Sequence, residues 1–268
     1  MSSLRPVIQR YKLLLFFILA CAPIWVIVSL QLTDALGLIL STLAPTLAAL
    51  LLIGVTEGRA GFAALWRQTV IWRVKPVWVI AAIVVPALCV LMPILIADQI
   101  LPEAYEAAPI TAANQAVLGG VFIFAFLEEL GWMGFAMPRI LKHRSALFAA
   151  FIVGLMQGVY HFPVLLLSDA PISIVFALLT TLSIRVLMTW IYLPTRGSVL
   201  IAALFHGTLN IASSLVVAGI NPSYFNVLYS SGFGIAALVV ILARGRSLRP
   251  RPSRIMSGHV DQKVTEQS

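Results

Sequence analysis

The sequence predicts an all-α, polytopic transmembrane helical bundle of about eight spans, with both termini cytoplasmic. Three observations support this prediction: the composition, the lengths of the apolar runs, and the alternation of charge between them. Of the 268 residues, 60% are hydrophobic and only 10% are charged, whereas soluble domains carry about 25% charged residues. A water-soluble fold cannot bury this much apolar surface. We therefore expect a multi-pass protein of the cell membrane, surrounded by the lipid bilayer.

Eight apolar runs are each close to the length of about 20 residues that a helix needs to cross the hydrocarbon core. They cover residues 13–31, 36–55, 77–97, 116–136, 146–167, 172–193, 198–218 and 225–243. No linker separates them, so a single transmembrane domain is predicted over residues 1–243, with its chemically distinctive core at 116–218. Residues 244–268 are rich in Arg, Ser and Pro and are predicted to be a basic, disordered cytoplasmic tail.

Positive charge alternates between the two ends of the predicted spans. Lys or Arg occurs in the N-terminal segment, in the second, fourth and sixth connections and in the tail, but in none of the odd-numbered connections. Because cytoplasmic loops carry the excess of Lys and Arg, this pattern predicts an even number of spans and cytoplasmic termini. The net charge of +8 is then explained by topology, and no nucleic-acid partner is expected.

Shorter patterns predict how the helices sit in the membrane and against each other. Residues 61–74 mix apolar and basic side chains, which favours an amphipathic helix in the cytoplasmic interface, with an irregular basic loop as the alternative. Gly154 and Gly158 have the spacing of small residues that allows close helix packing. Aromatic side chains near cytoplasmic span ends are expected to be interface anchors, namely Trp132, Trp190 and Tyr192.

Five ionisable side chains lie inside the predicted spans, where each costs roughly 2.5–3.5 kcal/mol. They are Glu128 and Glu129 in span four, His161 in span five, Arg185 in span six and His206 in span seven. Asn210 follows His206 by one turn and shares its helix face. Most of these groups fall about 10–13 Å from the predicted cytoplasmic ends, so they are expected to surround one hydrated cavity facing the cytosol. His161 falls deeper and requires a tilted or displaced helix.

Two chemistries suit carboxylates, imidazoles and an amide around a wet cavity. In hydrolysis, one carboxylate takes a proton from water as general base while His and Asn donors stabilise an oxyanion, or a divalent metal held by Glu and His polarises the water. The other is a proton or ion path through the bundle. Purely structural roles are also open: a Glu paired with Arg185, and interhelical hydrogen bonds from the histidines and Asn210.

Three motifs in order resemble one known family. The chain has EELGWMGF at 128–135, QGVYHFP at 157–163 and HGTLN at 206–210. These segments are similar to the EExxxR, FxxxH and HxxxN motifs of the CPBP family, the CAAX prenyl protease and bacteriocin-processing (Abi-type) intramembrane metalloproteases. The resemblance covers most of residues 40–215.

The resemblance implies an intramembrane endopeptidase that cleaves a membrane protein or peptide substrate. It implies that Glu128 activates the water, helped by Glu129, and that His161 is a base partner or a metal ligand. His206 and Asn210 would form the oxyanion pocket or complete a metal site. If a metal such as zinc is used, the implied ligands are Glu128, His161 and His206.

Two positions depart from the family pattern. Met133 stands where the motif has arginine, and Gln157 stands where FxxxH has phenylalanine. We expect Arg185, on a different span, to supply the missing positive charge to Glu129. The alternative is a catalytically inactive member that acts as a membrane scaffold or an immunity-type binding protein. A proton-coupled transporter is disfavoured, because such folds repeat their polar broken helices in both halves and the first three spans here lack charged residues.

Overall fold

The computed structural model describes residues 4–32, 35–107, 112–167 and 174–249, and it contains ten α-helices within them. They are α1 Arg5–Ser29, α2 Ala35–Thr56, α3 Gly58–Thr69, α4 Pro76–Ile100, α5 Ala112–Gly131, α6 Met137–Leu141, α7 Ala146–Leu167, α8 Ile174–Tyr192, α9 Val199–Val216 and α10 Pro222–Arg244. A π-helical turn, Trp132–Ala136, joins α5 to α6. In this part of the chain eight helical segments are long and apolar enough to cross a membrane. The predicted all-α transmembrane bundle of about eight spans is confirmed.

The helices extend further than the apolar runs at several ends. The first begins at Arg5, with a proline in its first turn, and the fourth span continues through the π turn to Leu141. Long basic side chains allow this extension, because they can carry their charge out to the interface. Of the predicted tail, residues 250–268 lie outside the described residues, and the single domain over 1–243 stays a prediction.

Large apolar side chains cover the outside of the bundle, and small ones fill the contacts inside it. Leu242, Ile100 and Leu51 expose 73%, 68% and 56% of their surfaces, which suits hydrocarbon and not water. Inside, Ala149 and Ala203 are fully buried. Small residues at helix contacts let the backbones approach closely, which is how membrane helices associate without a hydrophobic driving force between them.

The spans alternate in direction, so the bundle has two distinct ends. The terminal end carries Arg5, Glu57 and Arg139. There Lys12 Nζ lies 3.1 Å from Glu57 Oε1, and Arg139 Nη2 lies 2.7 Å from Glu57 Oε2. Arg5 donates a hydrogen bond to the Thr56 carbonyl at 3.2 Å. These contacts tie α1, the end of α2 and α6 together. The side of the membrane on which this end lies stays a prediction.

The opposite end is closed by contacts between the segment after α4 and the segment before α10. Tyr105 and Ile220 form an isolated antiparallel bridge. The Asn221 side chain donates to the Glu103 carbonyl at 2.9 Å, and the Tyr224 hydroxyl donates to the Glu103 carboxylate at 2.9 Å. These bonds bring the start of α10 against the end of α4.

Glu57 connects α1 to α6 through partly exposed ion pairs, which predicts a pH-dependent contribution to stability. Burial raises the pKa of Glu57, but hydrogen bonds and positive charge from Arg139 and Lys12 lower it more, so this pKa lies below its ordinary value. We expect Glu57→Gln to cost up to about 1 kcal/mol at neutral pH, as partly exposed pairs do. A lowered pKa means that this contribution is present above the ordinary glutamate pKa of about 4.3 and is lost as the pH falls further.

Thermal unfolding in detergent over a pH series measures this contribution. The difference between wild type and Glu57→Gln should be constant near neutral pH and shrink in acid, while the exposed-site control Glu106→Gln shows no difference at any pH. A Glu57→Gln difference that stays the same into strong acid would contradict the assignment.

The amphipathic segment is a helix over part of its predicted length. α3 spans Gly58–Thr69, so the predicted helix at 61–74 starts earlier and ends five residues sooner. It buries Gly61, Leu65 and Thr69 on one stripe against the bundle, while Trp66 exposes 67% of its surface. Residues 70–75 are not helical; at Lys75 the following Pro76 disfavours the helical conformation.

Close packing between α4 and α10 depends on a glycine. A Cβ added at Gly232 would overlap the Cys89 carbonyl oxygen, whereas one at Gly234 would meet nothing within 4 Å. We expect Gly232→Ala to destabilise the protein by about 1–3 kcal/mol through overpacking. Gly234→Ala should stabilise α10 by up to about 1 kcal/mol, since alanine is the better helix former. Unfolding curves in detergent measure both, and equal effects of the two variants would refute the close contact.

Two packing predictions can be compared with the structure. A Cβ at Gly154 would lie 3.0 Å from Leu182 Cα, and one at Gly158 2.7 Å from a Leu178 methyl, so the predicted close packing of this pair is confirmed.

The interface-anchor prediction is wrong for Trp132, which is fully buried and packs edge-on against Phe16 at 5.4 Å. It is also wrong for Tyr192, which is 3% exposed. Both lie on helix faces that point into the bundle.

Candidate functional site

Glu128 and Glu129 lie in the last turn of α5, directly before the π turn. Hydrogen bonding from α2 fixes this position, because the Thr46 hydroxyl donates to the Leu127 carbonyl. Gly131 lets α5 approach α2, since a Cβ there would be 2.5 Å from the Pro45 carbonyl oxygen. π turns occur often at functional sites, and here the turn follows the two carboxylates.

Glu129 forms the central ion pair of the site. Arg185 Nη1 lies 2.6 Å from Glu129 Oε2, and Arg185 Nη2 lies 2.8 Å from Glu129 Oε1, with both side chains fully buried. A third guanidinium donor, Nε, bonds Gln157 Oε1 at 2.7 Å. A bidentate arginine–carboxylate pair with a further hydrogen bond to the guanidinium is among the stronger buried ion pairs. Arg185 therefore supplies the counter-ion that Met133 cannot, and Gln157 accepts a third hydrogen bond from it.

His206 is held by the same carboxylate. Its Nδ1 lies 2.7 Å from Glu129 Oε1. With Arg185 beside it, Glu129 is best assigned as the carboxylate, and His206 Nδ1–H then donates to it. This bond fixes the ring orientation and leaves Nε2 for other partners, as the buried aspartate does for the histidine of a Ser-His-Asp triad. Asn210 follows one turn later on α9 and borders the same cavity.

His161 reaches this level because α7 is fixed against the first two helices. The Tyr160 hydroxyl donates to the Ser41 carbonyl at 3.0 Å, and Trp25 Nε1 donates to the Val159 carbonyl at 3.1 Å. α7 runs through Pro163 without ending, and His161 lines the same cavity as Glu128 and His206. Counting residues from the predicted span ends places His161 deeper in the membrane than Glu128. The fourth span extends beyond its apolar run to Leu141, so Glu128 lies deeper than that count gives and is close to the level of His161.

The predicted site residues border one cavity of about 370 Å³. Glu128, His161, Arg185, His206 and Asn210 line it, whereas Glu129 lies behind its wall and contacts it only through Arg185 and His206. Glu128 differs from Glu129 in one respect: its Oε2 is buried without a hydrogen-bond partner among the described residues. The adjacent carboxylates therefore have different surroundings, one fully paired and the other facing the cavity.

α10 contributes a wall of the cavity that sequence reasoning missed. Asn226, Tyr229 and Ser230 line the cavity; Tyr229 hydrogen-bonds Ser213 at 3.0 Å, and Ser230 accepts from Thr180 at 2.8 Å. No charged residue marks this helix among its membrane-embedded positions. The spacing i, i+3, i+4 of the three polar residues is the available signal, since it places them on one face.

The cavity lining extends away from the end of the bundle that carries the termini. Its lining extends to Leu165, Phe176 and Phe225, which lie near the ends of α7, α8 and α10 at the opposite end of the bundle. Arg185 and Met188, towards the terminal end, expose 0% and 1% of their surfaces. Among the described residues the cavity lining therefore extends towards the end opposite the termini, and the predicted opening to the cytosol stays a prediction. Apolar-run lengths give depth but not the tilt and packing that open or close a cavity.

The donors do not form a metal site by their arrangement. Among the residues that the structure describes, no three His, Cys, Asp or Glu side chains are grouped so that they could hold one ion. The Arg185 guanidinium beside Glu129 also repels a dication, and His206 Nδ1 is already bonded to Glu129. The set Glu128, His161 and His206 thus does not fit a zinc centre in this conformation. The use of a metal stays a prediction.

Comparison with known proteins confirms the resemblance. Residues 109–212 match the family model described as Type II CAAX prenyl endopeptidase Rce1-like, a range that contains the two glutamates and both cavity histidines. The chain is also 28% identical over 109 residues to a CAAX prenyl protease 2 of Methanococcus maripaludis, an alignment that covers 37% of this chain and 40% of the relative. The chain thus matches less than half the length of this curated relative.

Proposed function

Because this chain is a CPBP-family protein of the membrane, we propose that it is an intramembrane endopeptidase, which hydrolyses a peptide bond with water activated by Glu128. The observation that carries the proposal is the contrast between the two carboxylates. Glu129 is paired with Arg185 and His206, while Glu128 lines the cavity and its buried Oε2 has no hydrogen-bond partner among the described residues. A general base needs a carboxylate free to accept a proton.

In the proposed reaction the Glu128 carboxylate takes a proton from a water molecule as the water oxygen bonds to the scissile carbonyl carbon. The carbonyl π electrons move to its oxygen. When the tetrahedral intermediate collapses, the C–N bond breaks and the proton held by Glu128 passes to the leaving nitrogen. The carboxylate is regenerated, so the cycle balances with the side chains of this chain and water alone.

His206 and Asn210 are the proposed oxyanion partners. The Asn210 amide is a neutral donor, and His206 in its protonated form can donate from Nε2 while Nδ1–H stays bonded to Glu129. Preorganised donors of this kind lower the barrier most in sites that exclude water. Glu129 and Arg185 are positioning residues in this scheme, because they hold His206 in place and their own polar atoms are engaged with each other. His161 borders the cavity and is proposed to contact the substrate.

A catalytically inactive scaffold, the alternative raised by Met133, loses its main argument. That alternative rests on the missing motif arginine, and Arg185 provides the charge to Glu129 from α8. Activity then depends on whether Glu128 acts as a base, which a cleavage assay tests.

The decisive experiment incubates the purified protein with a library of membrane peptides and identifies products by mass spectrometry. Wild type should release fragments, and Glu128→Gln, purified in the same way, should release none. Cleavage that survives in Glu128→Gln would reject Glu128 as the base, and no cleavage by either protein would reject the peptidase. Adding a chelator to the wild-type reaction reports separately on the metal prediction.

A further inference from the structure

The cavity runs from the cluster of ionisable residues towards one end of the bundle. Leu165 lies two residues before the end of α7, Phe176 two residues after the start of α8, and Phe225 three residues after the start of α10. At about 1.5 Å per residue these side chains are within roughly 5 Å of their helix ends. All three ends are at the end of the bundle opposite the termini.

Burial of the lining residues changes in the same direction. Towards the terminal end, Arg185, Met188 and Gln157 expose 0%, 1% and 4% of their surfaces. Near the opposite end, Leu165 and Phe225 are only partly buried. Among the described residues, the cavity is therefore closed on the terminal side of the ionisable cluster, and its lining extends towards the opposite end of the bundle. We call the part of the lining nearest that end, formed by Leu165, Phe176, Ala177, Phe225 and Asn226, the mouth.

The chemistry of the lining suits an uncharged stretch of peptide. The mouth combines apolar side chains with neutral hydrogen-bonding groups, and deeper along the same wall Thr181 and Tyr229 add hydroxyls. An extended peptide must satisfy its backbone N–H groups. The Thr181 hydroxyl already donates to the Ala177 carbonyl at 3.0 Å, but its oxygen keeps a lone pair that can accept from such an N–H. Among the described lining residues, charge is confined to the cluster around Glu128, so a charged substrate side chain in the mouth would lose its hydration without a counter-ion.

We propose that the cavity admits an apolar peptide segment that enters from the end of the bundle opposite both chain termini. If the termini are cytoplasmic, as the distribution of Lys and Arg predicts, the segment comes from the extracytoplasmic surface. Its cleavage rests on the proposed function, but the side of entry does not.

Cysteine labelling tests the side of entry without requiring activity. Ala177→Cys places a thiol in the mouth, Gln99→Cys an exposed thiol at the opposite end, and Lys142→Cys an exposed thiol at the terminal end. Wild type is the background, because Cys21 and Cys89 are both buried. Each variant is treated with a membrane-impermeant maleimide in intact cells and in inverted membrane vesicles. Asn226→Cys is the second mouth variant if Ala177→Cys does not fold.

The mouth thiol is expected to react in the same preparation as Gln99→Cys and to remain unlabelled in the preparation that labels Lys142→Cys. Labelling together with Lys142→Cys, or no labelling while Gln99→Cys reacts, would overturn the proposal. Where peptide cleavage is observed, a bulky maleimide on the mouth thiol should abolish it, and cleavage that continues unchanged would overturn the entry route. Absence of cleavage before modification would reject the proposed function alone, since the labelling pattern still decides the side of entry.

Discussion

Replacing Arg185 with leucine is expected to lower the free energy of unfolding by about 3–5 kcal/mol, the cost of removing one partner from a buried ion pair. Arg185 makes three hydrogen bonds, two to Glu129 and one to Gln157. Without it, the fully buried Glu129 carboxylate keeps, among the described residues, only His206 as a partner. Detergent unfolding curves measure the loss, and any peptidase activity should fall with it because His206 loses its fixed carboxylate.

Two further variants distinguish a buried ion pair from a general effect of losing an arginine. Arg67→Leu, at an exposed position of α3, should change stability by no more than about 0.5 kcal/mol. The double variant Arg185→Leu/Glu129→Leu should be more stable than Arg185→Leu alone, since it removes the unpaired charge as well. An Arg185→Leu protein as stable as Arg67→Leu would show that Arg185 does not compensate for Met133.

Glu128→Gln is expected to reduce peptide cleavage by at least about 10²-fold, within the range that general acid–base catalysis contributes, while leaving the fold intact. The physical reason is that Glu128 Oε2 has no hydrogen-bond partner among the described residues, so a neutral amide breaks no bond to that atom. Glu129→Gln should lose stability and activity together, because an amide cannot serve the two guanidinium donors and His206 as a carboxylate does.

The measurement is the initial rate of cleavage for each variant, set beside its unfolding midpoint. Glu106→Gln, an exposed carboxylate outside the helices, is the matched control and should retain both. If Glu128→Gln unfolded as readily as Glu129→Gln, its inactivity would carry no information about catalysis. If Glu129→Gln kept full activity, the proposed positioning of His206 would be wrong.

The sequence determined the features that depend on local composition along the chain. Hydropathy over about 20 residues decides whether a segment can cross the membrane, so the spans are predictable. The resemblance to the CAAX prenyl endopeptidases is likewise predictable, from motifs at 128–135, 157–163 and 206–210. Because placing a charge inside a span is costly, the sequence alone singles out the ionisable residues of the site, which are Glu128, Glu129, His161, Arg185 and His206.

Tertiary structure alone decided how those residues are paired and in which direction their cavity extends. Adjacent residues on a helix point about 100° apart, so only one of the two glutamates could face a given centre. The rotation of α5 that assigns Glu129 to Arg185 and Glu128 to the cavity is set by packing against α2 and α9. Whether Trp132 faces lipid or core depends on the same rotation. Hydropathy is nearly uniform around such helices, so it fixes their length and leaves their rotation and tilt to contacts between helices distant in the chain.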